Sequence, residues 1–321
     1  MVSCAAALLL LRPLPLHVEG NRLLEAGAPV ILKGVGVPSF ESSNEGEYVF
    51  RSARVAFEDW QANCIRLPVS EDRWFGKAEG QKDKGLDYRV AVNEVINLAE
   101  NRSRYLILDL QSSDANVWGK NLGPHDMPDD HSLQFWRDIG ASYRGYPHVL
   151  FGLYDAPHDV PWSVWRNGGD VSEAGLSYHA PGMQTLLEAI RRTGAKNVCV
   201  VGGLDGGYDL TGIADGYALT DEKGNGVVYD AHIFPSRADW ESKVACACPI
   251  APVIVGECGC LPTDKPIPDE YVPKLFAFIE AHSLSWIASG FHPSAKPNLI
   301  GDWVYTPTPF WGTVVKKKLA N

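Results

Sequence analysis

Five polar residues stand inside or just past apolar runs that read as β-strands: Arg66 in "NCIRLPV", Gln111 after "RYLILDL", Asp155 after "VLFGLY", His232 after "VVYDA" and Glu257 after "PVIVG". Gathered at one end of a parallel sheet, they could bind a polar ligand and move a proton within it. Glu257 and Asp155 are the candidates for acid or base, with His232 and Gln111 as catalytic hydrogen-bonding partners. A pair of carboxylates in such a place is what glycoside cleavage needs, with about 5 to 5.5 Å between nucleophile and general acid in the retaining case. A single polar residue at a strand end is usually just a satisfied hydrogen-bonding group. Five at corresponding places point to a site.

The elements that would carry them follow from periodicity. Short apolar runs read as strands at 31–34, 64–69, 105–110, 149–153, 198–201, 226–230, 253–255 and 285–288. Between them "YRVAVNEVINLAENR", "SLQFWRDIGASY", "GMQTLLEAIRRTGA" and "DEYVPKLFAFIEAHS" place apolar residues three and four apart, the helical spacing. Eight strands alternating with helices predict an α/β fold, a (β/α)8 TIM barrel, opened by a short N-terminal β-hairpin in "LHVEGNRLLEAGAPVILKGVG". A doubly wound open sheet is the alternative, but no glycine-rich phosphate loop follows the first strand. No linker divides the chain, so residues 1–321 are read as one barrel domain. The long insertions after strands three and four gather at the barrel mouth, and their Trp118, Trp162 and Trp165 are expected to wall a pocket there. Trp303 is a further aromatic candidate. Asp109 and Asp230 are read as inward residues, with Asp230 below His232 because they share strand parity.

Composition narrows the partners. The chain has 45% hydrophobic and 21% charged residues, with a net charge of −10; that field opposes nucleic acid, which needs a clustered basic surface. "AAALLLL" at 5–11 is too short to span a bilayer and follows no Lys or Arg, so no membrane partner is expected. An intracellular protein is the reading, or a secreted one if residues 1–13 form a degenerate signal peptide. Seven cysteines in an odd, scattered set do not form a disulfide framework. "CAC" and "CGC" lack the two-residue gap of zinc knuckles, and no metal or other cofactor is expected.

Over nearly its whole length the chain resembles glycoside hydrolase family 5, the cellulase-type retaining barrels. The similarity is carried by "GNRLLEAGAPVILKGV", "WQANCIRLPV", "RYLILDLQSSD", "YPHVLFGLYDAPHD", "VVYDAHIFP", "PVIVGECG" and "SWIASGFHPSAKPNLIGDWVYTPTPFWG". The resemblance implies that Glu257 is the nucleophile, that Arg66 steadies it and that His232 lines the same wall. The departures lie at the site. Where the family has Asn-Glu, this chain has Asp155-Ala156, so the general acid/base is missing. Gln111 stands for a histidine, Phe234 for the tyrosine of His-x-Tyr, and Ser289 for the sugar-platform tryptophan.

General acid catalysis contributes about 10²- to 10⁴-fold, so ordinary hydrolysis is disfavoured. Asp155 is one residue earlier on the strand and should start toward the opposite face unless a bulge re-aims it. The replacements at Ala156 and Ser289 empty space in the cleft for a bulkier or less polar ligand, a small organic substrate, and Phe234 removes a hydroxyl from its wall. The leading reading is a repurposed enzyme of proton transfer, such as cyclisation, isomerisation or elimination, with Glu257 as base. A carbohydrate-binding pseudo-glycosidase is one alternative. The other is a retaining β-glycosidase or endoglucanase, either an acid/base knock-out variant or one with another acid such as Asp114, Asp129 or Asp159.

Overall fold

The structure is a computed structural model, and it describes residues 13–265 and 267–321. The apolar stretch at 5–11 lies outside the described residues. Eight parallel strands close into a barrel: β1 Lys33–Gly36, β2 Cys64–Ser70, β3 Tyr105–Ser112, β4 Val149–Gly152, β5 Cys199–Gly202, β6 Val227–Ile233, β7 Val253–Cys258 and β8 Ser285–Ala288. β8 pairs back onto β1 through Trp286 and Lys33, completing the cylinder. The N-terminal hairpin is extended by a third short strand: Leu16–Glu19, Arg22–Glu25 and Ala28–Pro29 form an antiparallel sheet.

Strand alternation sorts the side chains into two layers of different character. Outward residues such as Ile65, Leu67, Leu106, Leu108, Phe151, Val201 and Val255 join the core beneath the helices. Inward residues Cys64, Ile107, Leu150, Val200, Val228, Ile254 and Ile287 form a second cluster with Leu16 and Leu23 of the N-terminal sheet, which plug the barrel floor. Two residues further along the same strands, the inward positions become Arg66, Asp109 and Asp230. The lower barrel is oily and the upper barrel is charged.

The helices form as their spacing predicts. In Leu86–Asn101 the buried residues are Tyr88, Val92, Val95, Ile96, Leu98 and Ala99, a single stripe. Asp130–Tyr143 starts at a capping box, Asp129 accepting from the backbone of His131 and Ser132 while the Ser132 hydroxyl accepts from the Asp129 N–H. The insertion after β4 holds structure that its polar composition concealed: a helix at Trp162–Asn167 and an antiparallel hairpin of Gly169–Glu173 with Leu176–Ala180, turning at Ala174-Gly175. Among the described residues no helix is long and apolar enough to cross a membrane.

Candidate active site

Arg66 is the hub of the upper barrel. Its Nε donates to Asp109 Oδ2 at 3.1 Å, Nη1 to Asp230 Oδ2 at 2.7 Å and Nη2 to Asp155 Oδ1 at 2.5 Å. His232 Nε2 lies 3.2 Å from the same Nη1 and 3.3 Å from Asp230 Oδ2. Glycines make room for this packing: a Cβ on Gly152 would stand 2.1 Å from Asp109 Oδ1, and one on Gly256 would stand 2.0 Å from Asp230 Oδ1. The Gly256 N–H also donates to that oxygen at 2.7 Å. Asp109 and Asp230 are therefore inward and hydrogen-bonded, with Asp230 beside His232.

Irregular backbone aims the remaining groups. Ile254 and Gly256 face inward, so simple alternation would turn Glu257 toward the helices. The register of β7 shifts against both neighbours between Ile254 and Cys258, and this bulge turns Glu257 into the mouth, opposite His232. Its Oε2 lies 4.0 Å from His232 Nδ1, and its side chain stays 26% exposed. Past Gly152 the regular pairing of β4 ends but its backbone stays tied to both neighbours, Leu153 N–H donating to the Val200 carbonyl and Asp155 N–H to that of Leu110. Tyr154 reaches Ser113 and the His125 backbone, and Asp155 turns inward to Arg66; this departure from regular pairing supplies the re-aiming that strand parity required.

Glu257 opens onto a cavity of about 220 Å³. Arg66, Gln111, Phe234, Glu257 and Ser289 all line it, with Pro38, Pro68 and Pro297 as apolar wall. The Ser289 hydroxyl is buried there with no hydrogen-bond partner in the protein. Asp155 and His232 are buried in the Arg66 network beside the cavity rather than in its wall, and Ala156 is half-buried next to them. Depressions of about 660 Å³ and 420 Å³ share Pro38, Glu41 and Ala295 on one side and Phe234, Lys296 and Pro297 on the other. The mouth is thus a trough with Glu257 in its narrow middle.

The three insertion tryptophans are elsewhere. Trp118 stacks on His131 at 3.6 Å. Trp162 packs on Trp165, and Trp165 is fully buried with its indole N–H on the Gly202 carbonyl. Trp303 comes nearer, edge-on to His292 of the larger depression. Asp114 and Asp129 are fully buried away from the cavity wall, and Asp159 is exposed beside His158 and Asp126. Glu41 and Lys296, which line the cavity, were not among the sequence candidates. Both lie in polar loops after β1 and β8. The signal available for Glu41 was its place a few residues beyond the first strand, on the same face as every other strand end.

Burial and the nearby Asp155 raise the Glu257 carboxyl to about 6, against the pull of His232 and Arg66. Burial likewise raises Glu41 above its ordinary value, although Ser39 N–H and the Ser42 hydroxyl hydrogen-bond its two oxygens. For His232 burial acts downward, but Asp230 outweighs it and lifts the imidazole from 6.5 to about 9. The folded state therefore holds a proton on His232 that the unfolded chain gives up earlier. That stabilisation is complete below pH 6.5 and is lost as pH rises through about 9. Melting temperatures measured across this window fall, and His232→Gln flattens that part of the profile.

A closed parallel barrel with polar residues massed at the C-terminal strand ends defines a (β/α)8 protein with the mouth that enzymes of this fold use. The sequence profile of Cellulase (glycosyl hydrolase family 5) matches residues 24–291, and the chain belongs to that family. It is 24% identical over 217 residues to Endoglucanase MaCel5A of Microbulbifer sp. (strain ALW1), covering 67% of this chain and 37% of that protein. Endoglucanase 1 of Saitozyma flava matches at 24% over 137 residues, 42% of this chain and 39% of its own length. The chain spans under two fifths of the length of these two relatives. Among solved structures, the β-glucanase SdGluc5_26A from Saccharophagus degradans, crystallised with cellotetraose, superposes with a TM-score of 0.75 at 21% identity, covering 96% of this chain and 93% of that one. The Thermobifida fusca endoglucanase Cel5A catalytic domain gives 0.70 at 16% identity, with 96% and 97% covered. At these identities the structural likeness establishes the fold.

Proposed function

We propose that this family 5 barrel is an enzyme of proton transfer on a small organic ligand, with Glu257 as its base, rather than a glucan hydrolase. One observation carries the reading. At the end of β4 Asp155 is committed to Arg66 and Ala156 offers no proton, while Glu257, raised to about 6, faces a narrow, partly apolar cavity. A carboxylate with that value is ionised at neutral pH and more basic than an ordinary one. It would accept a proton from the ligand, and Gln111, in the same cavity wall, would hydrogen-bond the charge that develops. Cyclisation, isomerisation and elimination are the reactions of this type.

Nitrobenzisoxazole is a direct probe, because transfer of its ring proton to a carboxylate breaks the N–O bond and releases coloured cyanonitrophenolate. The wild-type protein turns it over with an acid limb near pH 6, where protonation removes the base, and Glu257→Gln is slower by about 10²-fold or more. Equal rates for the two proteins, or a profile without that limb, overturn the reading.

A second reading has an observation of its own. Glu41 lines the same cavity, burial raises its pKa, and the trough extends on both sides. A retaining β-glycosidase with Glu257 as nucleophile and Glu41 as proton donor would use those features. It requires Glu41→Gln to slow cleavage of a glycoside with a poor leaving group far more than that of an activated aryl glycoside.

A further inference from the structure

Past the ends of β2 and β3, away from the Glu257 cavity, four carboxylates are buried together. Glu71 and Asp72 open the short helix after β2, Asp114 follows β3, and Asp129 caps the helix Asp130–Tyr143; all four have no solvent exposure. Glu71, Asp114, Asp129 and His131 each bring a possible ligand atom within 4.8 Å of the others. Some of their hydrogen bonds are made. Asp129 takes four backbone N–H groups, those of Asp114, Asn116, His131 and Ser132. Glu71 Oε2 accepts from the Ser132 hydroxyl at 2.7 Å, Asp114 Oδ1 from Val117 N–H at 3.0 Å, and Asp72 Oδ1 from Gly119 N–H at 2.8 Å. The other oxygens, Glu71 Oε1, Asp72 Oδ2 and Asp114 Oδ2, are buried with no N–H or hydroxyl donor from outside the cluster; Glu71 and Asp114 face Asp129, and Asp72 faces Asp114.

Uncompensated carboxylates in a dry interior cost several kcal/mol per ion. His131 supplies one nearby donor, its Nδ1 lying 2.8 Å from Asp114 Oδ1, and Lys77 is drawn instead over the Trp118 ring. We propose that Glu71, Asp114 and Asp129 bind a hard divalent cation of the calcium class, with Asp72 flanking the site and His131 orienting Asp114 from behind. Oxygen ligands from carboxylates select calcium, magnesium or manganese over zinc, and a ring N–H held on a ligating carboxylate is a usual outer-shell support. The ion would tie the ends of β2 and β3 to the loop between Asp114 and Asp129, which carries Trp118.

The test uses the whole chain, stripped with a chelator and desalted. Calcium or manganese added in large excess over its dissociation constant raises the melting temperature by about 5 °C. Terbium gives luminescence sensitised by Trp118 that calcium competes away. Asp114→Asn and Glu71→Gln, which keep the shape and remove charge, lose these responses. A wild-type protein that shows neither response, or responds to zinc alone, overturns the proposal. The wild-type readouts decide the matter even if a variant fails to fold.

Discussion

Arg66→Met destabilises the protein by about 3–5 kcal/mol, the cost of leaving buried charges without their partner. Three aspartates, Asp109, Asp155 and Asp230, meet on this one guanidinium, whose side chain is 3% exposed. Methionine fills most of the volume, so the loss measures uncompensated charge rather than a cavity. Arg66→Lys is intermediate, because one ammonium cannot reproduce the planar fork that serves three carboxylates. Urea melts at pH 7 read the difference directly, and the deficit shrinks in acid as Asp230, which against its burial Arg66 holds below the usual carboxylate range, takes up its proton. A loss below about 1 kcal/mol, the level of an exposed ion pair, would mean that the network is far more hydrated than its burial indicates.

Ala156→Glu produces the largest functional change. It places a carboxyl at the position where the family resemblance puts the general acid, without touching the Arg66 network. Cleavage of cellotetraose rises by about 10²-fold over the parent, at the lower end of what general acid catalysis contributes; Ser289 still provides no sugar platform. The gain disappears in Ala156→Glu combined with Glu257→Gln, since the new acid needs the nucleophile. An Ala156→Glu protein no better than its parent would mean that the missing acid is not what separates this site from hydrolysis.

Much of this site was legible in the sequence because a parallel barrel turns strand order into position. Once eight apolar runs were recognised, Arg66, Gln111, Asp155, His232 and Glu257 had to share one face; Arg66, Gln111 and Glu257 line the cavity, as do Phe234 and Ser289, which the family resemblance singled out, while Asp155 and His232 lie in the network beside it. What escaped depended on departures from regular backbone. Alternation points Glu257 outward, and only the β7 bulge corrects it. Asp155 reaches Arg66 because the backbone past Gly152 leaves regular pairing while its N–H stays bonded to the Leu110 carbonyl. Glu41 and Lys296 lie in loops that carry no period to read. The insertion tryptophans show the converse: large aromatic side chains near a mouth suit a ligand and a loop core equally well in sequence, and Trp165 is wholly buried.

The central claim is that Glu257 works in this cleft without acid-assisted glycoside cleavage. It is tested most directly by incubating cellotetraose at neutral pH with the wild-type protein and with Glu257→Gln, and quantifying shorter oligosaccharides by chromatography. With Glu257 as the base of proton transfer, the two give the same product, at background level. Cleavage by the wild-type protein that Glu257→Gln abolishes would contradict it and make the chain a working glucanase that draws its proton from another group, with Glu41 the first to examine.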